Sequence, residues 1–111
     1  MDSKKWTNQA IVEWHIKTFP KATVSSQTAK LEEEIQEYFQ NPCLEEIADV
    51  YICATALGGR FQLDGVQHLI EQSCFGFYPK KYVENAVENK MDVNESRSWK
   101  FANGLYHHEE K

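Results

Sequence analysis

No stretch of this chain approaches the roughly 20 consecutive apolar residues that a membrane-spanning helix needs, so no transmembrane segment is expected. The opening MDSKKWTNQ lacks the apolar run of a secretory signal. There is no long basic stripe, and the net charge is −5. That balance excludes sequence-independent binding of a nucleic-acid polymer as the main activity. Cysteine is scarce: Cys43, Cys53 and Cys74 are odd in number, and their separations of ten and twenty-one residues fit no zinc pattern. Cys53 lies in an apolar run and reads as a small core residue. A reduced, cytoplasmic protein without membrane partners is the expectation. Strand alternation, internal repeats and low-complexity tracts are also missing, which leaves an all-α class.

What is present is a set of helical segments divided by proline, glycine and asparagine. The 111 residues predict a single all-α domain over residues 1–104, followed by a polar tail over 105–111. A first helix is expected over 7–18, with Trp6, Ala10, Ile11 and Trp14 toward the core, stopping at Phe19-Pro20. Ser25 or Ser26 is expected to N-cap a second helix, which runs to Gln40 with Leu31, Ile35 and Tyr38 at helical spacing. Asn41 and Pro42 suit the N-cap and first turn of a third helix that ends at Gly58-Gly59. Asp64 is expected to cap a fourth, broken over 74–79, and the last helix is expected to run from Lys80 to Trp99 before Asn103-Gly104.

The informative residues are acids. Glu34 and Glu37 are three apart, as are Glu46 and Asp49, and only eight residues separate the two pairs. A spacing of three places both acids of a pair on one helix face. The short turn at Asn41 favours an antiparallel hairpin. With its pivot between Asn41 and Pro42, Glu37 faces Glu46 and Glu34 faces Asp49, on levels roughly 4.5 Å apart. That is a four-carboxylate box suited to one or two hard divalent cations such as Mg²⁺, or Mn²⁺ in its place. Asp49 adds an independent reason. It is the single charge in the run from Ile47 to Leu57. A helix apolar on nearly every side is buried, and a buried carboxylate demands a partner. A metal ion, or a cation from the last helix, supplies one. Glu32, Glu33 and Glu45 are equally well read as a solvated face.

Lys90, Asn94 and Arg97, at i, i+4 and i+7, offer two cations and an amide along one helical stripe, which suits phosphate oxygens. None of His15, His68, His107 and His108 forms the Glu-x-x-His motif of di-iron bundles. His15 and His68 read as ordinary helix residues. Among the aromatics that could stack on a base, Trp14 and Trp99 are the first to test.

Lys30-Leu31-x-Glu33-Glu34-x-x-Glu37 followed by Glu46-x-x-Asp49 resembles the EExxE…ExxD signature of MazG-like nucleotide pyrophosphohydrolases, members of the all-α NTP pyrophosphatase superfamily. Lys90-x-x-x-Asn94-x-x-Arg97-x-Trp99 is similar to the KxxxNxxRxW stretch of small members, and Gly104-Leu105-Tyr106-His107 looks like the ending of phage-type ones. The resemblance implies a compact helical bundle built on the antiparallel hairpin and completed as a homodimer or homotetramer. It implies Mg²⁺-dependent hydrolysis of an NTP or dNTP to the monophosphate and pyrophosphate, by attack of water on the α-phosphorus. Glu34, Glu37, Glu46 and Asp49 would hold metal, with Glu33 beside them orienting water or a ligand. Lys90 and Arg97 would stabilise charge on the phosphates, and Asn94 and Trp99 would contact substrate; Trp14 joins them as a substrate contact for its aromatic ring alone. One departure is the eight-residue spacer, which is longer in many members and makes this hairpin tighter. A competing reading is a non-catalytic helical module whose acids bind a structural metal or a basic protein partner. A structural metal site has no need of the Lys90, Asn94 and Arg97 stripe.

Overall fold

The computed structural model describes residues 5–108, without the side chains of Leu105 and His108. Five helices form the body: α1 (Asn8–Thr18), α2 (Val24–Gln40), α3 (Leu44–Phe61), α4 (Asp64–Phe77) and α5 (Lys80–Ser96). Two short strands, β1 (Trp99–Ala102) and β2 (Leu105–His108), follow. Among the described residues, no helix is long and apolar enough to cross a membrane. Cys43, Cys53 and Cys74 are free thiols.

The most apolar helix sits at the centre. Along α3, Ile47, Ala48, Val50, Tyr51, Ile52, Ala54, Thr55, Ala56, Leu57 and Gly58 are all buried. It packs against α1, α2, α4 and α5, each of which turns one face toward it. Ile11, Leu31, Tyr38, Cys74, Val83, Val87 and Met91 are the buried apolar residues those faces contribute. The start of the described chain is fastened to α5: the Trp6 amide donates to Glu88 Oε2 at 2.8 Å, and its indole Nε1 to Asp92 Oδ1 at 2.9 Å.

Helix ends follow local chemistry, sometimes shifted from expectation. Thr7 caps α1 by accepting from the Ala10 amide. Thr23, rather than Ser25 or Ser26, caps α2. Ser26 is its reciprocal partner in a capping box, with bonds of 3.0 and 2.9 Å. Asn41 closes α2, its amide donating to Glu37 and Tyr38, so α3 starts two residues later than expected, behind an extended Cys43. Leu63, not Asp64, is the N-cap of α4. That helix runs through Gly76 to Phe77 and stops where Tyr78 adopts the extended backbone that a following proline favours.

The pair Gly58-Gly59 does not end α3. Both lie inside it because neighbouring helices come too close for a side chain. A Cβ on Gly58 would fall 2.3 Å from Gln67 Cβ, and one on Gly59 would fall 2.5 Å from Val12 Cγ2. The helix stops four residues further on, at Gln62 in the left-handed region (φ 62°), with the Leu63 amide bonded to the Gly58 carbonyl at 2.9 Å. Gly58→Ala is expected to lower stability by about 1–3 kcal/mol, the usual cost of overpacking, as measured by denaturant unfolding. Gly65→Ala, with nothing near its Cβ, is expected to show no loss.

The C-terminal region departs most from the all-helical expectation. The fifth helix ends at Ser96 rather than Trp99, and Arg97 is already extended (ψ 152°). Residues 99–108 form an antiparallel hairpin in the register Trp99↔His108 and Phe101↔Tyr106. Asn103 and Gly104 both have positive φ, 55° and 80°, the Asn-Gly signature of a two-residue hairpin turn. A lone hairpin is marginal in water. This one is held against α1 and the following loop by aromatic contacts, with Phe19 centred 5.0 Å from Trp99 and 4.7 Å from Tyr106. The Tyr106 hydroxyl accepts from the Lys21 amide at 3.1 Å. Leu105 to His108, expected in a polar tail, are therefore β2; residues 109–111 lie outside the described part.

Candidate active site

The acids of the two central helices meet as the hairpin rule requires at one level and differently at the other. Carboxylate oxygens of Glu34, Glu46 and Asp49 lie within 4.8 Å of one another, and so do those of Glu33, Glu34 and Glu37. Glu34 therefore belongs to both trios. The expected box of two facing pairs resolves into two overlapping groups hinged on Glu34, with Glu37 in one and Glu46 in the other. Extended away from the turn, the same pairing rule sets Lys30 opposite Cys53 and Gln27 opposite Ala56. Lys30, Cys53, Gln27 and Ala56 all line the same cavity.

That cavity, about 400 Å³, also takes Glu33, Glu34, Glu37, Asp49, Lys90, Asn94, Arg97, Trp14 and Trp99 into its lining. Of the site residues expected from sequence, Glu46 alone is not part of that wall. It is half-buried, and its Oε2 is buried without a hydrogen-bond partner. The expected helical stripe is broken: Lys90 and Asn94 are on α5, whereas Arg97 lies past its end. Arg97 still reaches the cavity and donates to Asn94 Oδ1 at 3.4 Å.

Two ammonium groups already stand among the acids. Lys30 Nζ is 3.0 Å from Glu33 and 3.3 Å from Glu34, and Lys90 Nζ is 3.4 Å from Asp49. The cation near Asp49 thus comes from the last helix. Two lysines against five carboxylates leave the cluster acidic. Burial first, then Asp49 and Glu37 against the opposing pull of Lys30, push the Glu34 carboxyl up to about 7. Burial likewise raises Asp49, with Lys90 opposing and Glu46 reinforcing the rise. Burial alone would lower Lys30, yet Glu33 and Glu34 leave it raised. Burial, followed by the Glu34 charge, pushes the Cys53 thiol up, which disfavours its thiolate.

The opposite end is aromatic. Trp14 meets Phe19 edge-on at 5.2 Å and Trp99 at 6.3 Å, and Tyr106 and His107 complete that side. Two residues there went unassigned in the sequence, and a third was read as an ordinary helix residue. His15 and Gln27 are buried at 4% and 8% exposure, and Arg60 Nη1 lies 3.0 Å from His15 Nδ1. No sequence signal joins residues 15, 27 and 60. The exposed His68 is the ordinary helix residue expected, and His107 lines the cavity.

Burial, then the Arg60 charge, lowers His15 to about 4. A base with a depressed folded pKa contributes fully above its unfolded value of 6.5 and loses that contribution as pH falls toward 4. The stability gap between the wild type and His15→Gln is expected to shrink by about 3 kcal/mol from pH 7 to pH 4, at about 1.4 kcal/mol per pKa unit. Urea unfolding of both proteins at each pH measures it, and the subtraction cancels the acids.

Compared with protein-family models, curated proteins and solved structures, the chain matches none.

Proposed function

We propose that this protein is an Mg²⁺-dependent nucleoside triphosphate pyrophosphohydrolase of MazG-like type. The observation that carries the reading is the composition of one cavity: clustered carboxylates, two cations with an amide donor, and an aromatic wall. A structural metal site needs only the first of these. The donor set fits a hard divalent ion, because every candidate ligand is a carboxylate oxygen and Glu46 Oε2 is buried and unpartnered. Glu34, Glu37, Glu46 and Asp49 would hold the ion, with Glu33 beside them. When bound, Mg²⁺ supplies an activated water and neutralises phosphate charge.

The chain's own residues do the rest. Lys90 and Arg97 stabilise negative charge on the departing pyrophosphate, and Asn94 helps to hold the Arg97 guanidinium toward the cavity. Trp14 and Trp99 give a base an apolar surface. Water adds to the α-phosphorus, the bond to the bridging oxygen of the β-phosphate breaks, and nucleoside monophosphate and pyrophosphate leave. Exposed Val66, Leu69 and Phe77 on α4, with Phe39 on α2, support a homo-oligomer. The free thiols suit a cytoplasmic setting.

Pyrophosphate release from a panel of NTPs and dNTPs, with Mg²⁺ and with chelator, tests the proposal. Metal-dependent turnover of at least one nucleotide is expected. Absence of turnover across the panel would leave the non-catalytic acidic module as the better account.

A further inference from the structure

Lys30 opens the acid motif, yet the chemistry assigned to the cavity gives it no part. Its ammonium is tied to two of the acids, with Nζ 3.0 Å from Glu33 Oε1 and 3.3 Å from Glu34 Oε2. The side chain is 32% exposed and lines the cavity. A second ammonium, that of Lys90, stands 3.4 Å from Asp49. The cavity therefore holds one lysine on α2 beside Glu33 and another on α5 beside Asp49.

The level of Lys30 along α2 is informative. That helix begins at Val24, five residues after Phe19. Its first turns stand at the aromatic end of the cavity, and its later turns at the acids. Gln27, Lys30, the pair Glu33-Glu34 and Glu37 all line the cavity and follow one another at about one turn each. Lys30 is thus rooted between the aromatic wall and the carboxylates. A nucleotide with its base on the aromatics and its outer phosphates at the acids sets its α-phosphate, the one joined to the sugar, at that intermediate level.

The neighbours of the two lysines divide them further. In a displacement at phosphorus the attacking and leaving oxygens are roughly in line, on opposite sides of the reacting atom. Glu33, the acid read as orienting water or a ligand, is in contact with Lys30. Lys90, beside Asp49, is the cation assigned to the leaving pyrophosphate. In the metal-free protein Glu33 and Glu34 balance the Lys30 charge. A divalent ion held by Glu34 would compete for that carboxylate and repel the ammonium. Lys30 carries three donors on a flexible four-carbon stem, and a phosphate oxygen restores the anion it has lost.

We propose that Lys30 is the cation that binds the α-phosphate, while Lys90 serves the pyrophosphate. This rests on the pyrophosphohydrolase reading of the cavity and adds a catalytic residue to it. Lys30 keeps its proton throughout. As water adds to the α-phosphorus and the bond to the bridging oxygen breaks, its ammonium offsets charge on the non-bridging α-oxygens.

The two products test this, because each carries one of the two parts. The full chain with Mg²⁺ is titrated calorimetrically with the 5′-monophosphates of the common ribo- and deoxyribonucleosides, and separately with inorganic pyrophosphate. Lys30→Gln is expected to weaken monophosphate binding at least about tenfold, the scale of a lost hydrogen bond to a charged group, and to leave pyrophosphate within about twofold. Lys90→Gln is expected to do the reverse. Lys30→Arg keeps the charge and is expected to recover most of the monophosphate affinity. In turnover, Lys30→Gln is expected to lower kcat about 10²-fold, with a smaller change in KM. Thermal unfolding shows that each variant is folded. A second reading needs no substitution: in the wild type, reductive methylation followed by mass spectrometry is expected to be slowed at Lys30 by the monophosphate and not by pyrophosphate. A Lys30→Gln protein that keeps its monophosphate affinity, or loses pyrophosphate affinity equally, overturns the inference. So does a wild type in which pyrophosphate alone protects Lys30. With wild-type turnover intact, the pyrophosphohydrolase reading then stands. A wild type that neither binds nor turns over any nucleotide overturns both.

Discussion

Replacing Glu34 by glutamine is expected to yield a protein that is more stable than the wild type and inactive. Glu34 belongs to both carboxylate trios, so its loss damages both candidate cation positions at once. Losing a group that organises transition-state charge stabilisation typically costs on the order of 10²–10³ in rate, and pyrophosphate release should fall at least that far. Metal affinity, read by calorimetric titration of Mn²⁺, should fall with it. Stability should move the other way. An acid whose folded pKa is raised from 4.5 to about 7 contributes most when protonated. That contribution is present below pH 4.5 and is lost as pH rises through 7. Above pH 7 the metal-free wild type therefore carries an ionised, buried carboxylate beside Asp49 and Glu37. The neutral amide removes this penalty, and Lys30 keeps Glu33 as its partner at 3.0 Å. A gain of about 1–3 kcal/mol above pH 7 is expected, shrinking toward pH 4.5, at about 1.4 kcal/mol per pKa unit. Chelator-treated protein unfolded in urea at pH 5 and pH 8 measures both ends. A variant that loses both stability and activity would mean that Glu34 is structural, because a ligand held at the expense of stability shows the opposite pairing.

Most of this was legible because it rests on helix periodicity. Three-residue spacing and a short turn were enough to bring Glu34 against Asp49, and an apolar segment with one charge marked α3 as the buried helix. Where reading failed, the deciding information lay outside the local segment. Gly58-Gly59 reads as a helix stop, yet only the positions of Val12 and Gln67 show that these glycines serve close packing inside the helix. The Asn103-Gly104 pair was legible as a hairpin turn in isolation. The helical pattern carried through Trp99 masked it, although Lys100-Phe101-Ala102 and Leu105-Tyr106-His107 flank it as short strands. The broken stripe of Lys90, Asn94 and Arg97 is the same error seen from its other end. Arg60, His15 and Gln27 come from three helices and share no spacing, so their convergence exists only in the folded chain.

A substitution at Lys90 separates the roles that Glu34 combines. Lys90 Nζ is 3.4 Å from Asp49, and both side chains are mostly buried, at 24% and 21% exposure. In metal-free protein the ammonium partly satisfies Asp49, and it lines the cavity that would hold the phosphates. A divalent ion arriving at Asp49 competes with that ammonium. Lys90→Gln is therefore expected to bind Mn²⁺ more tightly than the wild type, while, on the proposed pyrophosphohydrolase activity, turnover falls about 10²-fold or more through loss of a charge that would face the leaving pyrophosphate. Without metal the variant should be less stable by about 1 kcal/mol or more, since removing one partner of a buried pair leaves the other uncompensated. Saturating Mg²⁺ should close that gap, because ligand binding to the folded state adds to its stability. Lys90→Arg keeps the charge and should recover part of the turnover. The decisive reading is the sign of the metal effect. Tighter metal with slower turnover assigns Lys90 to the phosphates; weaker metal would instead make the Lys90–Asp49 pair part of the scaffold that shapes the site.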